Sequence, residues 1–183
     1  MFVDQLISTI PEISQDWVIA SSLLGDRKAL FSTDKVYRYA LIITWDADKS
    51  YLVVIMLNPS TADEFKNDPT IERQERRARA MGHGGLIILN IFALRSTDRS
   101  RLLEVADPIG PLNDRIIALF TAGLDSAICG WGEWGNVLAR GPQVLAQLRS
   151  QGIVTMAFKI NKDGSPRHPL YVAYKHQPVA FSE

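Results

Sequence analysis

Tyr51-Leu-Val-Val-Ile-Met-Leu-Asn-Pro-Ser60 joins an apolar run to an abrupt polar turn. The run, residues 51–57, is rich in branched side chains and is typical of a central parallel strand that is buried on both faces. Asn58 and Pro59 end the strand, because proline fixes φ and lacks a ladder donor while asparagine bonds to neighbouring backbone. Open α/β sheets bind ligands beside loops that leave the carboxyl ends of strands. The sequence therefore predicts the functional site at residues 58–70.

Strands and helices alternate along the rest of the chain. Further apolar runs predict strands at residues 86–92, 126–131 and 153–160. A segment with helical spacing, residues 70–81, follows the first strand, and this alternation indicates βαβ crossovers. We therefore expect an α/β protein with a mostly parallel four-stranded sheet. Helices would cover both faces of that sheet, which gives a three-layer αβα arrangement.

The segment before the first core strand predicts an added strand. Residues 36–45 are strand-like, and the short polar connection after them suits an antiparallel hairpin into residues 51–57. Further upstream, residues 17–24 and 28–31 fit either a second hairpin or a helix.

Composition and charge narrow the class of protein. The chain is 46% apolar and 22% charged, like ordinary globular proteins, and its 20 basic residues balance its 20 acidic residues. We expect one domain, with an N-terminal extension at residues 1–35 and a core at residues 36–178. Zero formal charge means that a nucleic-acid partner would need a local basic patch. Without a signal-like start or an apolar run of ~18 residues, the sequence predicts a cytoplasmic protein that does not enter a membrane.

Common catalytic and cofactor motifs are absent from the sequence. One cysteine excludes a disulfide framework and a thiolate metal cage, and the three histidines lack metal-ligand spacing. No G-x-G-x-x-G opens a helix, and there is no P-loop, H-E-x-x-H or G-x-S-x-G. We therefore predict neither a cofactor nor a bound metal. What remains is a set of polar residues in two loops and at a strand end, namely Asn58, Asp63, Asp68, Asn90, Arg167 and His168.

Short segments, in their order along the chain, resemble the uracil-DNA glycosylase superfamily. They are Met56-Leu-Asn-Pro-Ser60, Gly85-Leu-Ile-Ile-Leu-Asn90, Ala127-Ile-Cys-Gly-Trp-Gly132 and Arg167-His-Pro-Leu170. Met56 and Ser60 stand where that superfamily carries glycine. The chain is also similar to a family of uncharacterised bacterial and phage-associated proteins. The motifs of that family are Leu57-Asn-Pro-Ser-Thr-Ala-Asp63, Asn67-Asp-Pro-Thr70 and Pro166-Arg-His-Pro-Leu170.

The glycosylase resemblance implies a uracil-DNA glycosylase-like fold and hydrolysis of an N-glycosidic bond. That reaction builds negative charge on the leaving base and positive charge on the sugar. By the resemblance, Asn58 would hold the attacking water, with Asp63 as the nearest candidate base. His168 would donate a hydrogen bond to a base carbonyl as charge develops there. Asn58 can equally shape the turn, and His168 can equally be structural.

The same resemblance implies how a base would be held. Asn90 would bind the edge of an extruded base, with Phe65 or Phe92 stacked on its face. Leu170 would enter the duplex as an apolar wedge. Asn90 can instead satisfy buried backbone at the strand end.

Arginines near these loops are the predicted phosphate contacts, namely Arg73, Arg77, Arg95, Arg99 and Arg167. For the helix at residues 70–81, a solvated face with ion pairs is the plainer interpretation. Two other functions stay open. One is a non-catalytic module that binds nucleotide or nucleic acid through arginines that include Arg101. The other is a metal-assisted hydrolase that uses Asp63, Glu64 and Asp68 as oxygen ligands.

Overall fold

The computed structural model describes residues 2–10, 16–60 and 69–182, which form one sheet with helices on both faces. The strands are β1 (Trp17–Ser21), β2 (Arg27–Ser32), β3 (Arg38–Thr44), β4 (Tyr51–Met56), β5 (Gly85–Asn90), β6 (Ser126–Cys129), β7 (Val154–Ala157) and β8 (Val179–Ala180). The α-helices are α1 (Phe2–Thr9), α2 (Pro69–Ala80), α3 (Asn113–Thr121) and α4 (Arg140–Ser150). Short 3-10 helices span Arg99–Leu103, Glu133–Ala139 and Pro169–Tyr171.

The strand order, β1-β2-β3-β5-β4-β6-β7-β8, corrects the predicted topology. Four neighbouring pairs are antiparallel and three are parallel, so the prediction of a mostly parallel four-stranded sheet is wrong. The four predicted core strands do form, as β4 to β7, and they are the parallel part. Each antiparallel pair includes at least one of the strands β1, β2, β3 and β8. Of the two structures considered for the region upstream of β3, the β1–β2 hairpin is the one that forms.

β3 pairs with β5 and not with β4, so the predicted hairpin from residues 36–45 into 51–57 is also wrong. The physical reason is that β4 pairs with β5 on one side and β6 on the other, which leaves no free edge for β3. The polar turn after β3 instead passes over the start of β5. There the Gly84 carbonyl accepts hydrogen bonds from the Trp45 and Asp46 amides, at 3.0 and 2.9 Å.

Apolar side chains of the central strands alternate between two cores. Ile87 and Leu89 of β5 point to the face covered by α3 and α4, whereas Leu86 and Ile88 point to the face covered by α2. Each fully buried aliphatic side chain of this kind contributes roughly 1.5–3 kcal/mol of burial free energy. The resulting helix, sheet and helix layers agree with the predicted layering. Within the described ranges, no helix is both long enough and apolar enough to cross a bilayer.

Candidate functional site

The chain leaves β4 and β6 toward opposite faces of the sheet. From β4 it continues into α2 on one face, and from β6 it continues into α4 on the other. In open α/β sheets, a crevice forms at the carboxyl ends of two neighbouring strands whose connections diverge in this way. β4 and β6 are such neighbours.

A cleft of about 1040 Å³ lies at this point. Asn58 lines it from the loop after β4, Trp131 and Trp134 from the segment after β6, and His168 and Tyr171 from the last polar loop. The two polar loops therefore meet around one cleft at the carboxyl ends of the parallel strands, as the sequence predicts.

Asn58 lines the cleft and uses its amide nitrogen to shape the loop. Nδ2 donates to the Ser96 carbonyl at 2.8 Å and to the Pro59 carbonyl at 3.2 Å. The Ser96 amide donates in turn to the Pro59 carbonyl at 2.9 Å, which joins this loop to the one after β5. No described residue donates to Asn58 Oδ1. The side chain therefore has a structural task and also presents an acceptor to a ligand or water.

The His168 loop is fixed to the ends of β6 and β7 by its backbone. The Gly132 amide donates to the Pro166 carbonyl and the Arg167 amide donates to the Lys159 carbonyl, both at 2.8 Å. The His168 and Tyr171 rings lie 5.8 Å apart with planes tilted by 51°. Tyr171 is 69% exposed, so its ring is available to a ligand.

Charged side chains of both signs surround the cleft. Among the described residues, the cations that line it are Arg99, Lys159, Lys162 and Arg167, and the carboxylates are Asp98, Glu133 and Asp163. The pKa of Asp98 is lowered by hydrogen bonds from Ser100, and the pKa of Asp163 is lowered by hydrogen bonds from Ser165. Both groups are therefore firmly ionised at neutral pH. The Arg99 guanidinium carbon lies 4.8 Å from the centre of the Trp134 ring, a cation–π contact that stiffens one wall.

Residues 38–170 match the family described as protein of unknown function DUF1643. The chain belongs to this family. The match begins at the first residue of β3, spans every parallel strand and both cleft loops, and leaves β1 and β2 outside. It confirms the similarity to an uncharacterised family. Neither the curated proteins nor the solved structures gave a match to the chain.

A glycine-rich run of this DUF1643 protein follows β6. Gly130-Trp-Gly-Glu-Trp-Gly135 has the G-x-G-x-x-G spacing, follows β6 and leads into the 3-10 helix at Glu133–Ala139. Its glycines nevertheless serve packing and turn geometry. Gly130 accommodates Pro169, Gly135 accommodates the Trp131 indole, and Gly132 has a φ of +72°. The run therefore shapes a wall of the cleft.

Of the predicted base-binding residues, Asn90, Phe92 and Leu170 are among the described residues, and none of these three lines the cleft. Asn90 is 1% exposed, and its side chain lies on the α2 face with no partner for Nδ2 among the described residues. Phe92 is fully buried in the core on the α3 and α4 side, so it cannot stack on a ligand in the cleft. Leu170 is half-exposed, and it is the next residue, Tyr171, that lines the cleft.

Of the predicted phosphate-binding arginines, Arg99 and Arg167 line the cleft. Arg95 instead donates to the Lys35 carbonyl at 3.1 Å and lies 5.0 Å from the centre of the Phe31 ring. Arg73 and Arg77 instead donate to backbone carbonyls of residues 172–176. The surface ion-pair interpretation of α2 fits Arg76 with Glu72 and Arg79 with Glu75.

Part of the predicted site lies outside the described residues. Asp63, Glu64, Phe65 and Asp68 all fall in residues 61–68, between the end of the Asn58 loop and α2. In the described ranges, no three His, Cys, Asp or Glu side chains are grouped so as to hold a metal ion.

Two residues that sequence reasoning missed hold the end of β5. Asn113 Nδ2 donates to the carbonyls of Asn90 and Ile91, each at 3.0 Å. Arg140 is 2% exposed and donates from Nε to the Ile91 carbonyl at 2.7 Å. A second nitrogen of Arg140 pairs with Asp114. An arginine at a helix start carries no sequence signal for burial, because its partners come from distant strands.

Proposed function

We propose that this protein binds a nucleobase-containing ligand, a nucleic acid or a nucleotide, in the cleft and that hydrolysis of an N-glycosidic bond is its reaction. One observation carries the proposal: Asn58 and His168 line the same cleft, and the hydrogen bonds of the Asn58 amide use Nδ2 alone, which leaves its oxygen without a donor among the described residues. An acceptor for water and an imidazole donor are the two groups that the reaction needs on opposite sides of the scissile bond.

The chemistry divides between these residues. Asn58 Oδ1 accepts a hydrogen bond from water and so orients it toward the sugar carbon. A carboxamide cannot take a proton, so the reaction is slow unless a base assists, and Asp63 is the proposed base. His168 donates to the base oxygen that gains charge, an interaction that is worth about 2.7–4 kcal/mol in comparable oxyanion sites.

The walls of the cleft supply binding groups for the rest of a nucleotide. Trp134 and the exposed Tyr171 offer ring faces to a base, and stacking of this kind contributes about 1–3 kcal/mol per base. Arg99, Lys159, Lys162 and Arg167 offer positive charge to phosphates. The three carboxylates among them limit nonspecific attraction, in keeping with a chain of zero formal charge.

The positions of the glycosylase-like segments support the same proposal. Residues 56–60 and 167–170 enclose the cleft from two sides, and residues 127–132 run along β6 into its wall. Residues 85–90 form β5 and end at the buried Asn90. A uracil-DNA glycosylase-like arrangement is therefore the fold relationship that we propose.

The test is base release from defined oligonucleotides. Purified protein is incubated with single-stranded and duplex DNA carrying uracil or other altered bases, and products are followed by chromatography and by strand scission in alkali. We expect base release that Asn58→Ala and His168→Ala reduce at least hundredfold and that His176→Ala, outside the cleft, leaves intact. No release from any substrate would remove the catalytic claim.

A binding experiment separates the non-catalytic alternative. Binding of the same oligonucleotides without base release, weakened by salt and by Lys162→Ala but unaffected by Asn58→Ala, would assign the cleft to recognition alone.

A further inference from the structure

Two arginines of α2 converge on one backbone oxygen in the segment that follows His168. Arg73 Nη2 and Arg77 Nη2 both donate to the Val172 carbonyl, at 2.7 and 2.8 Å. Arg77 also donates to the carbonyls of Ala173 at 3.1 Å and His176 at 3.4 Å. Four charge-assisted hydrogen bonds therefore bind residues 172–176 to α2.

These arginines are not arranged as ordinary surface cations. Arg77 is 4% exposed, and the rings of Phe158 and Tyr174 lie 4.2 and 5.2 Å from its guanidinium carbon. Among the described residues, no carboxylate forms an ion pair with Arg73 or Arg77. Burial, reinforced by the charge of Arg73, lowers the pKa of Arg77. Burying a cation is costly, and the hydrogen bonds of Arg73 and Arg77 hold the backbone of residues 172–176 in a fixed position.

The chain between Val172 and His168 is a tight turn. The Tyr171 amide donates to the His168 carbonyl at 3.0 Å, and the Val172 amide donates to the Pro169 carbonyl at 3.2 Å. Val172 and Pro169 are both buried. Backbone hydrogen bonds therefore connect Val172, which accepts from Arg73 and Arg77, to the turn that begins at His168.

We propose that Arg73 and Arg77 are positioning residues that set where His168 and Tyr171 stand in the cleft. They act through the Val172 carbonyl and contact no ligand. The proposal rests on the proposed function only for the choice of ligand.

The experiment compares methionine variants, because methionine keeps the length of the arginine stem and removes the donors. Arg77→Met and Arg73→Met are measured beside Arg76→Met, an exposed arginine of the same helix that pairs with Glu72. The first probe is a fluorescein-labelled single-stranded oligonucleotide containing uracil, with affinity read by anisotropy. We expect affinity to fall at least tenfold in Arg77→Met, severalfold in Arg73→Met and less than twofold in Arg76→Met. Arg77→Lys, which can reach one carbonyl, is expected between wild type and Arg77→Met.

Two further measurements need no ligand. Hydrogen exchange of the amides at residues 168–172 is expected to accelerate at least tenfold in Arg77→Met and to stay unchanged in Arg76→Met. The NMR titration midpoint of the His168 imidazole is expected to move in the first variant and not in the second. A purely structural role for Arg77 would change the denaturation midpoint without moving the His168 titration in the folded protein.

The outcomes distinguish this proposal from the proposed function. If the wild-type protein binds no oligonucleotide, the proposed function fails, and the exchange and titration results alone decide the positioning role. A folded Arg77→Met with wild-type exchange and a wild-type His168 midpoint overturns that role. If Arg77→Met does not fold, Arg73→Met, which leaves the bonds of Arg77 in place, decides by the same two measurements.

Discussion

Pro169 packs against Gly130 so closely that a Cβ on Gly130 would lie 2.7 Å from both Cγ and Cδ of the proline ring. The Gly130 backbone is held against β4, because its amide donates to the Ile55 carbonyl at 2.8 Å. The position of the His168 loop therefore depends on the absence of a Cβ at Gly130, which follows β6.

Gly130→Ala is expected to push the His168 loop out of place. Overpacking of this kind typically costs about 1–3 kcal/mol of unfolding free energy. Ligand affinity should fall as well, because His168 and Tyr171 move with Pro169. Urea unfolding and oligonucleotide anisotropy measure the two effects.

The matched control for Gly130→Ala is Gly152→Ala. Gly152 has a φ of +77° and no atom within 4 Å of an added Cβ, so only backbone strain of about 1–2 kcal/mol is expected. Equal loss of affinity in both variants would contradict the claim that the contact between Gly130 and Pro169 positions the His168 loop.

Gln74→Met is expected to stabilise the protein. Gln74 is fully buried on α2, and neither Oε1 nor Nε2 has a hydrogen-bond partner among the described residues. Its neighbours on that helix face, Ile71 and Ala78, are part of the apolar core. Methionine has a similar shape and no polar group to desolvate, so the unfolding free energy should rise by about 1–3 kcal/mol. A loss of stability in urea unfolding would show that the amide has a partner which the described residues do not include.

Arg140→Met is expected to lower the unfolding free energy by about 1–3 kcal/mol, because the end of β5 loses a buried donor to the Ile91 carbonyl. Asn113 still donates to that carbonyl, which keeps the loss from being larger. Asp114→Asn tests the ion pair separately. The Asp114 side chain is 57% exposed, so its substitution should cost less than about 1 kcal/mol. Equal costs for the two variants would assign the stabilisation to the ion pair and not to the carbonyl contact.

His83→Gln is expected to flatten the dependence of stability on pH. Burial lowers the pKa of His83 below its ordinary value of 6.5, and Ser50 opposes this only in part. Between the two pKa values the unfolded chain binds a proton that the folded chain does not. The stability contributed by neutral His83 is therefore present above pH 6.5 and is lost as the pH falls through the folded-state pKa. Urea midpoints measured between about pH 5 and pH 8 should rise with pH less steeply in the variant, and an unchanged slope would argue against this assignment.

The predictions that the structure confirms rest on local signals. β4 and β5 are continuous apolar runs with polar ends, and such runs define buried strands without knowledge of their partners. The polar loops after the first and last predicted core strands led to Asn58 and His168, which do line one cleft.

The predictions that failed depended on distant partners. A short polar turn after β3 favours a local hairpin, but β4 already pairs on both sides, and β3 adds to β5 instead. Arg73 and Arg77 have the spacing of a surface patch, yet their acceptors belong to residues 172–176. The burial of Arg140 is fixed by a carbonyl at the end of β5, and no pattern within its own helix reveals that contact.

The pairing of β3 with β5 also bears on how the nascent chain matures. As the ribosome releases the protein from its N-terminus, β1, β2 and β3 emerge as a meander whose outer side has no strand beside it until residues 85–90 have left the exit tunnel. The ribosome must therefore synthesise β4 and α2 before β5 is available to pair with β3. Slow codons between residues 45 and 84 would prolong the time during which this unfinished sheet can meet another chain.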